Sequence, residues 1–254
     1  MQRTFSHILL ITWIFIIFSC NRQYLQINVS ARNISVSDSI NQLDSEVVKI
    51  YLPYKKMIEK EMSRVISVSN MEMAKDKPES KLTNFLADLL LEQGKKEATE
   101  EELGFQPDVS YFNYGGIHSF LPKGEITVEK IYELMPFENK MVFLKLYGYQ
   151  LQEFFNIIAE KGGDSIGGAQ FLISGNRAKN IMINGESLNT NRIYWLVTND
   201  YVARGGDNLS ILTQTNKIVE SDKKIRDVII SYMEEKQENG EKLSAQKDGR
   251  IRYE

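Results

Sequence analysis

The amino-acid sequence predicts a mixed α and β fold whose strands are largely antiparallel. Three observations lead to this fold class. Apolar residues recur at helical spacing before residue 95, and short apolar segments alternate with helical segments after residue 108. Gly/Asn pairs typical of tight turns separate some of those segments. With 254 residues, of which 42% are hydrophobic and 26% charged, the chain is long enough for one substantial core.

The charge distribution argues against a nucleic-acid partner. The formal net charge is −3, and lysines are scattered among glutamates along the whole chain. Proteins that bind nucleic acid usually concentrate Lys and Arg on one surface to neutralise phosphates. The sequence therefore predicts a solvated, mixed-charge surface and no nucleic-acid binding.

The first nineteen residues predict an export signal. Arg3 precedes an apolar run over 8–18, which is shorter than the ~20 residues that a membrane span needs. Cys20 is the only cysteine, and the preceding Ile17-Phe18-Ser19 makes this segment resemble a lipobox. We predict a lipoprotein signal at 1–19, lipidation at Cys20, and anchoring to the bacterial cell envelope on its periplasmic or surface side. The alternative is a signal-anchor helix in which Cys20 is incidental.

A polar tether and two helices are predicted next. Residues 20–42 are rich in Ser and Asn, and a folded domain is predicted over 43–252. Apolar spacing indicates a helix over 45–66, with a kink or restart at Pro53. A second helix is predicted over 79–95, where Gly94 would end it.

The remainder of the domain predicts strands alternating with helices. Strands are predicted at 109–113, 140–146, 169–174, 181–183 and 194–198, and helices at 127–132, 148–161 and 223–236. The pairs Gly175-Asn176 and Asn184-Gly185 predict turns, the second of them a hairpin tip.

Metal-dependent chemistry within this chain is not expected. The two histidines are His7, in the predicted signal, and His118. A single remaining histidine does not supply the mixed ligand set of a dinuclear centre. The sequence also lacks the helical zinc-protease, phosphate-loop and serine-elbow motifs. No metal or cofactor is therefore predicted here.

Three loops carry the candidate binding residues. A Phe and a Tyr on loops could sandwich a flat base, an Asp could accept hydrogen bonds from a diol, and glycines allow close approach of backbone to a ligand. Taken separately, each loop fits equally well a tight turn, a core phenylalanine or a helix end. The candidates are Asn113, Gly115, Gly116, His118, Phe137, Tyr201, Gly206 and Asp207.

Taken together, six ordered segments resemble the 5′-nucleotidase C-terminal domain. They are residues 79–88, 113–117, 121–127, 136–139, 168–175 and 199–207, and the resemblance covers about 43–252. It implies a layered α/β/β/α fold that binds the nucleoside part of a nucleotide. It also implies a separate metallophosphatase domain that holds two divalent metals and attacks the phosphate.

The resemblance assigns roles to particular residues. Phe137 and Tyr201 match the stacking aromatics, Asp207 matches the aspartate that contacts ribose, and Asn113 matches the loop asparagine. His118 stands where that loop usually ends in arginine, and it lacks the guanidinium fork. Arg204 is the basic residue beside the second glycine pair.

Three functions remain open from the sequence. The first is the substrate-recognition half of a 5′-nucleotidase in nucleotide catabolism, inactive alone and paired in trans with a separately encoded metallophosphatase. The second is a stand-alone envelope binder of nucleosides or nucleotides. The third is an envelope scaffold that keeps only the fold.

Overall fold

The computed structural model describes residues 31, 33 and 44–254. The chain divides into two units, residues 1–48 and 49–254, and the sheets described below belong to the second. The predicted signal, Cys20 and almost all of the predicted tether lie outside the described residues. In the part that is described, no helix combines the length and the apolarity needed to cross a bilayer.

The elements follow one another in the alternating order that the sequence predicts. The helices are α1 (Ser45–Met62), α2 (Lys81–Glu100), α3 (Val128–Leu134), α4 (Gly148–Glu160), α5 (Asp200–Ala203) and α6 (Ile225–Glu238). The strands are β1 (Val65–Ser69), β2 (Val109–Phe112), β3 (Gly124–Thr127), β4 (Lys140–Tyr147), β5 (Ser165–Gly167), β6 (Ala169–Ser174), β7 (Arg177–Ile183), β8 (Glu186–Ser187), β9 (Ile193–Asn199), β10 (Lys217–Lys224) and β11 (Ile251–Tyr253). Short 3₁₀ turns occur at Tyr114–Gly116, Gly206–Asn208 and Ser210–Gln214.

The first predicted helix is too long at its C-terminal end. The helix ends at Met62 and passes through Pro53 without interruption, whereas Val65 and Ile66 begin β1. Their apolar spacing continues that of the helix, but Ile66 is buried because β1 pairs antiparallel with β3. Tertiary pairing therefore overrides the local helical pattern.

Gly94 does not end α2, and the prediction that it would is wrong. The helix continues to Glu100. A Cβ on Gly94 would lie 3.1 Å from the Val197 side chain, so the missing side chain lets α2 pack closely on β9. At the other end Ser80 caps the helix, since its Oγ accepts a hydrogen bond from the Thr83 amide at 3.0 Å.

The sheets are mixed and mostly antiparallel, as predicted. A five-stranded sheet has the order β10-β4-β9-β2-β5, and a four-stranded sheet has the order β11-β6-β7-β8. Only β2–β9 and β11–β6 pair parallel among the described strands. The predicted hairpin tip is confirmed: Asn184 and Gly185 join β7 to β8, and both have positive φ.

Two hydrophobic cores cover the two faces of the five-stranded sheet. Alternation along β4 sends Phe143 into the core shared with α2 and α6, and sends Leu144 into the core shared with α4 and the four-stranded sheet. Both side chains are fully buried. Burying such a side chain contributes ~1.5–3 kcal/mol, so a strand with two covered faces fixes the centre of the domain.

Candidate functional site

Strand pairing brings four segments to one edge of the five-stranded sheet. Because β2 and β9 are parallel, their C-terminal ends lie together, which places Asn113 near Asn199. Strands β4 and β5 run antiparallel to these neighbours, so their first residues reach the same edge. The segment before β4 carries Phe137, and the segment before β5 carries Asp164. Loops at such an edge are a common place for ligand sites.

A cleft of about 300 Å³ lies between these segments. Its volume is at the lower end of the range for small-molecule sites. The residues that line it are Asn113, Gly115, Gly116, Phe137, Asn139, Tyr201 and Asp207. Two of these residues are aromatic, and the others supply amides, a carboxylate and glycine backbone.

A continuous chain of hydrogen bonds fixes the polar side of the cleft. Asn199 donates from Nδ2 to Oδ1 of Asn113 at 2.9 Å. Asn113 in turn donates from Nδ2 to Oδ2 of Asp207 at 2.8 Å. The Tyr201 hydroxyl donates to Oδ1 of Asp207 at 3.1 Å. Each carboxylate oxygen keeps lone-pair capacity, so Asp207 can still accept hydrogen bonds from a ligand.

The two aromatic rings of the cleft remain accessible to solvent. Phe137 is 42% exposed and Tyr201 is 48% exposed. His118 packs its ring edgewise against Phe137, with the centroids 5.1 Å apart and the planes at 72°. His118 therefore braces one aromatic wall, and it does not itself line the cleft.

The Phe137 loop is tied to the helix that carries Tyr201. Asn139 donates from Nδ2 to Oδ1 of Asp200, the first residue of α5, at 2.9 Å. On the other side, Arg226 of α6 is buried and forms an ion pair with Glu138. These contacts set the spacing between the two aromatic walls.

Two glycines serve close packing beside the cleft. A Cβ on Gly206 would lie 2.4 Å from Cε1 of Tyr201, and a Cβ on Gly116 would lie 2.9 Å from Oδ1 of Asn113. Neither residue has positive φ; Gly205 does, at +88°. The glycine pair that begins at Gly115 therefore provides space and not an unusual backbone conformation.

Most of the site residues that the sequence indicated lie at the cleft. Six of the eight line it, and His118 and Gly206 contact its aromatic rings from outside. Arg204 points elsewhere: its side chain is exposed and lies 3.9 Å from Glu220.

Sequence reasoning missed three polar residues. They are Asn139, which lines the cleft, Asn199, which orients Asn113, and Asp164, which holds the neighbouring loop. A signal for Asp164 was present, because Lys161-Gly162-Gly163-Asp164 repeats the basic-Gly-Gly-Asp pattern of Arg204-Gly205-Gly206-Asp207.

Comparison with known proteins decides the family. The model of the 5′-nucleotidase C-terminal domain matches residues 60–214, which is more than half of the chain. The chain belongs to this family. The recognition made from the six sequence segments is thereby confirmed.

Curated relatives of the domain are much longer proteins. The trifunctional nucleotide phosphoesterase YfkN of Bacillus subtilis is 29% identical over 190 residues, which are 68% of this chain and 12% of that protein. Protein UshA of Yersinia enterocolitica is 27% identical over 171 residues, which are 65% of this chain and 30% of that protein. The chain thus spans less than a third of the length of either relative.

Solved structures show the same fold. A 5′-nucleotidase precursor from Thermus thermophilus superposes with a TM-score of 0.66 at 23% identity, covering 83% of this chain and 43% of that one. A 5′-nucleotidase from Staphylococcus aureus, crystallised with α-ketoglutarate, gives 0.65 at 18% identity and covers 86% and 45%.

The side chains of the described residues bear on the kind of ligand that the cleft could hold. Within residues 44–254, no three His, Cys, Asp or Glu side chains converge in a way that would bind a metal ion. His118 is exposed, with the Phe137 ring as its neighbour. The residues of the described cleft therefore fit an organic ligand better than a metal ion.

Asp164 is the most perturbed carboxyl group near the domain's cleft. Burial raises its pKa from 3.8 to about 6, and hydrogen bonds from the Ser165 amide, the Tyr111 hydroxyl and the Tyr114 amide oppose that rise. Burial also raises the pKa of the Tyr111 hydroxyl, so Tyr111 stays protonated as the donor.

Proposed function

We propose that this chain is the nucleoside-recognising half of a 5′-nucleotidase-type phosphohydrolase that takes part in nucleotide catabolism. The single observation that carries the proposal is one cleft lined by two exposed rings, Phe137 and Tyr201, together with Asp207. A base stacked between aromatic rings gains ~1–3 kcal/mol, and a carboxylate is a good acceptor for a ribose diol.

Metal-dependent attack on the phosphate falls to a separate chain in this proposal. The metallophosphatase, with its two divalent metals, acts in trans on the nucleotide that this domain holds. The family name and the longer relatives support a two-part enzyme, since this domain spans only part of their length. The domain alone contributes substrate recognition.

Helix α1 offers a surface for that partner chain. Four of its apolar side chains, Ile50, Tyr54, Met57 and Ile58, are between 54% and 69% exposed. An apolar helix face left in water favours association with another surface. The helix begins before the family match at residue 60, and the family's description places this domain at the C-terminal end of its proteins.

Met57→Glu combined with Ile58→Glu should abolish co-purification with a co-expressed metallophosphatase, and unchanged recovery would exclude this surface.

A lipid anchor would hold the domain at the cell envelope. The motivation is the sequence around Cys20, which lies outside the described residues. Labelling with a fatty-acid probe should mark the wild-type protein and leave Cys20→Ala unmarked. Equal labelling of both proteins, or of neither, would exclude the anchor.

A stand-alone binder of nucleosides is the second candidate, and one feature of the cleft favours it. The seven residues that line it include no Lys or Arg, so none of them supplies a side-chain cation to pair with a phosphate. Adenosine and AMP should then bind with affinities within about threefold of each other, because base and ribose contacts dominate.

Calorimetry with purified protein tests both candidates. Binding of adenosine supports the recognition role, and absence of hydrolysis of AMP with added Mn²⁺ or Zn²⁺ supports a separate catalytic chain. Binding of neither ligand would refute recognition by this cleft. Metal-dependent hydrolysis of AMP by the isolated chain would refute the proposal that a separate chain attacks the phosphate.

A further inference from the structure

One turn contacts both of the segments that form the polar side of the cleft, the loop after Asn113 and the backbone of Asp207. This turn, residues 161–164, joins α4 to β5. Asp164 is 4% exposed and accepts three hydrogen bonds. Its Oδ1 receives the amides of Tyr114 and Ser165 at 2.8 Å each, and its Oδ2 receives the Tyr111 hydroxyl at 3.0 Å. Tyr114 begins the 3₁₀ turn that carries Gly115 and Gly116 of the cleft.

The same turn reaches the Asp207 segment through Lys161. Its Nζ donates to the backbone carbonyl of Asp207, whose carboxylate lines the cleft. Its own carbonyl accepts from Nζ of Lys77, which also lies 5.2 Å from the centre of the Tyr114 ring.

Gly163 lets the turn approach the chain before α2. Its φ is +101°, and a Cβ there would lie 2.2 Å from the carbonyl oxygen of Pro78. Only glycine fits this position without displacing backbone. The 161–164 turn therefore contacts three segments: the loop of Tyr114, the backbone of Asp207 and the chain before α2.

We propose that the 161–164 turn sets the shape of the polar side of the nucleoside cleft and that Asp164 is its positioning residue. Asp164 holds the loop of Asn113 through the Tyr114 amide, while Lys161 holds the backbone of Asp207. Because Asn113 and Asp207 bond to each other, both must be held for the polar side to keep its shape. The role in binding depends on the proposed function.

The role of Asp164 depends on accepting hydrogen bonds and not on negative charge. An asparagine there can accept both amides at Oδ1 and donate from Nδ2 to the Tyr111 hydroxyl oxygen. An alanine leaves two amides and a hydroxyl buried without their acceptor, which destabilises the loop. The two substitutions therefore separate positioning from charge.

The test compares Asp164→Asn with Asp164→Ala. Two readouts are used: adenosine affinity by calorimetry, and hydrogen exchange of the Tyr114 and Gly116 amides in the free protein. We expect Asp164→Ala to weaken adenosine binding at least about tenfold and to speed exchange at both amides at least about tenfold. Asp164→Asn should stay within about threefold of wild type in both readouts.

Lys161→Met provides a second test should Asp164→Ala fold poorly. It keeps the aliphatic stem and removes only the donor to Asp207, so a loss of affinity of about threefold to tenfold is expected. Unchanged affinity and exchange in both Asp164→Ala and Lys161→Met would overturn the proposal, as would equal losses in Asp164→Asn and Asp164→Ala. If wild type fails to bind adenosine, the proposed function fails, and the exchange comparison still decides whether the turn positions the loop.

Discussion

Asp207→Ala should weaken adenosine binding at least about 30-fold, which is roughly 2 kcal/mol. The carboxylate is the meeting point of the hydrogen bonds from Asn113 and Tyr201 and the only charged group that lines the cleft. Its loss removes the acceptor for a ribose diol and also releases both side chains. The affinity is measured by calorimetry at constant salt and pH.

A carboxylate that does not line the cleft provides the control for this substitution. Asp222 lies on β10, is fully exposed, and pairs only with Lys140 at 3.0 Å among the described contacts. Asp222→Ala should leave the affinity unchanged, because exposed ion pairs contribute little. Affinity within about threefold of wild type in Asp207→Ala would show that adenosine does not use this carboxylate.

Gly206→Ala should weaken adenosine binding about tenfold while the fold is retained. The new methyl group would lie 2.4 Å from Cε1 of Tyr201, so the ring must move. The ring is half exposed and can turn away into solvent, which spares stability and removes one side of the base sandwich. Thermal unfolding and calorimetry measure the two effects separately.

A double-mutant cycle isolates the cause of the Gly206 effect. In a Tyr201→Ala background the methyl group meets no ring, so Gly206→Ala should cause no further loss. Full additivity of the two losses would contradict the account, because it would mean that the glycine acts without the tyrosine.

The sequence predicted the longer helices and most of the buried strands because their patterns are local, whereas the buried three-residue strand β5 and the four-residue helix α5 were not predicted. Helix α4 and strand β4 carry apolar residues at the periods of their own geometry. Strand β10 was not predicted, since it is an edge strand with the sequence KIVESDKK and mostly exposed side chains. Strand β1 was not predicted because Val65 and Ile66 continue the spacing of α1.

The sequence indicated which loops form the site, but it did not show how their side chains are arranged in space. The glycine pairs and loop aromatics carry local signals, and the resemblance to the family assigned Asn113, Phe137, Tyr201 and Asp207 to the site. Asn199 and Asp164 act only because β9 and β5 pair with β2, and such long-range pairing has no local signature. The supporting contacts of the cleft are therefore visible only in three dimensions.

The most direct test of the account is a measurement of where the adenine ring binds in the complex with adenosine. Nuclear Overhauser contacts are measured between the adenine protons of bound adenosine and the rings of Phe137 and Tyr201, with Tyr149 as an exposed aromatic control. The account predicts contacts from adenine to both cleft rings and none to Tyr149. Bound adenosine that shows no contact with either cleft ring would contradict it.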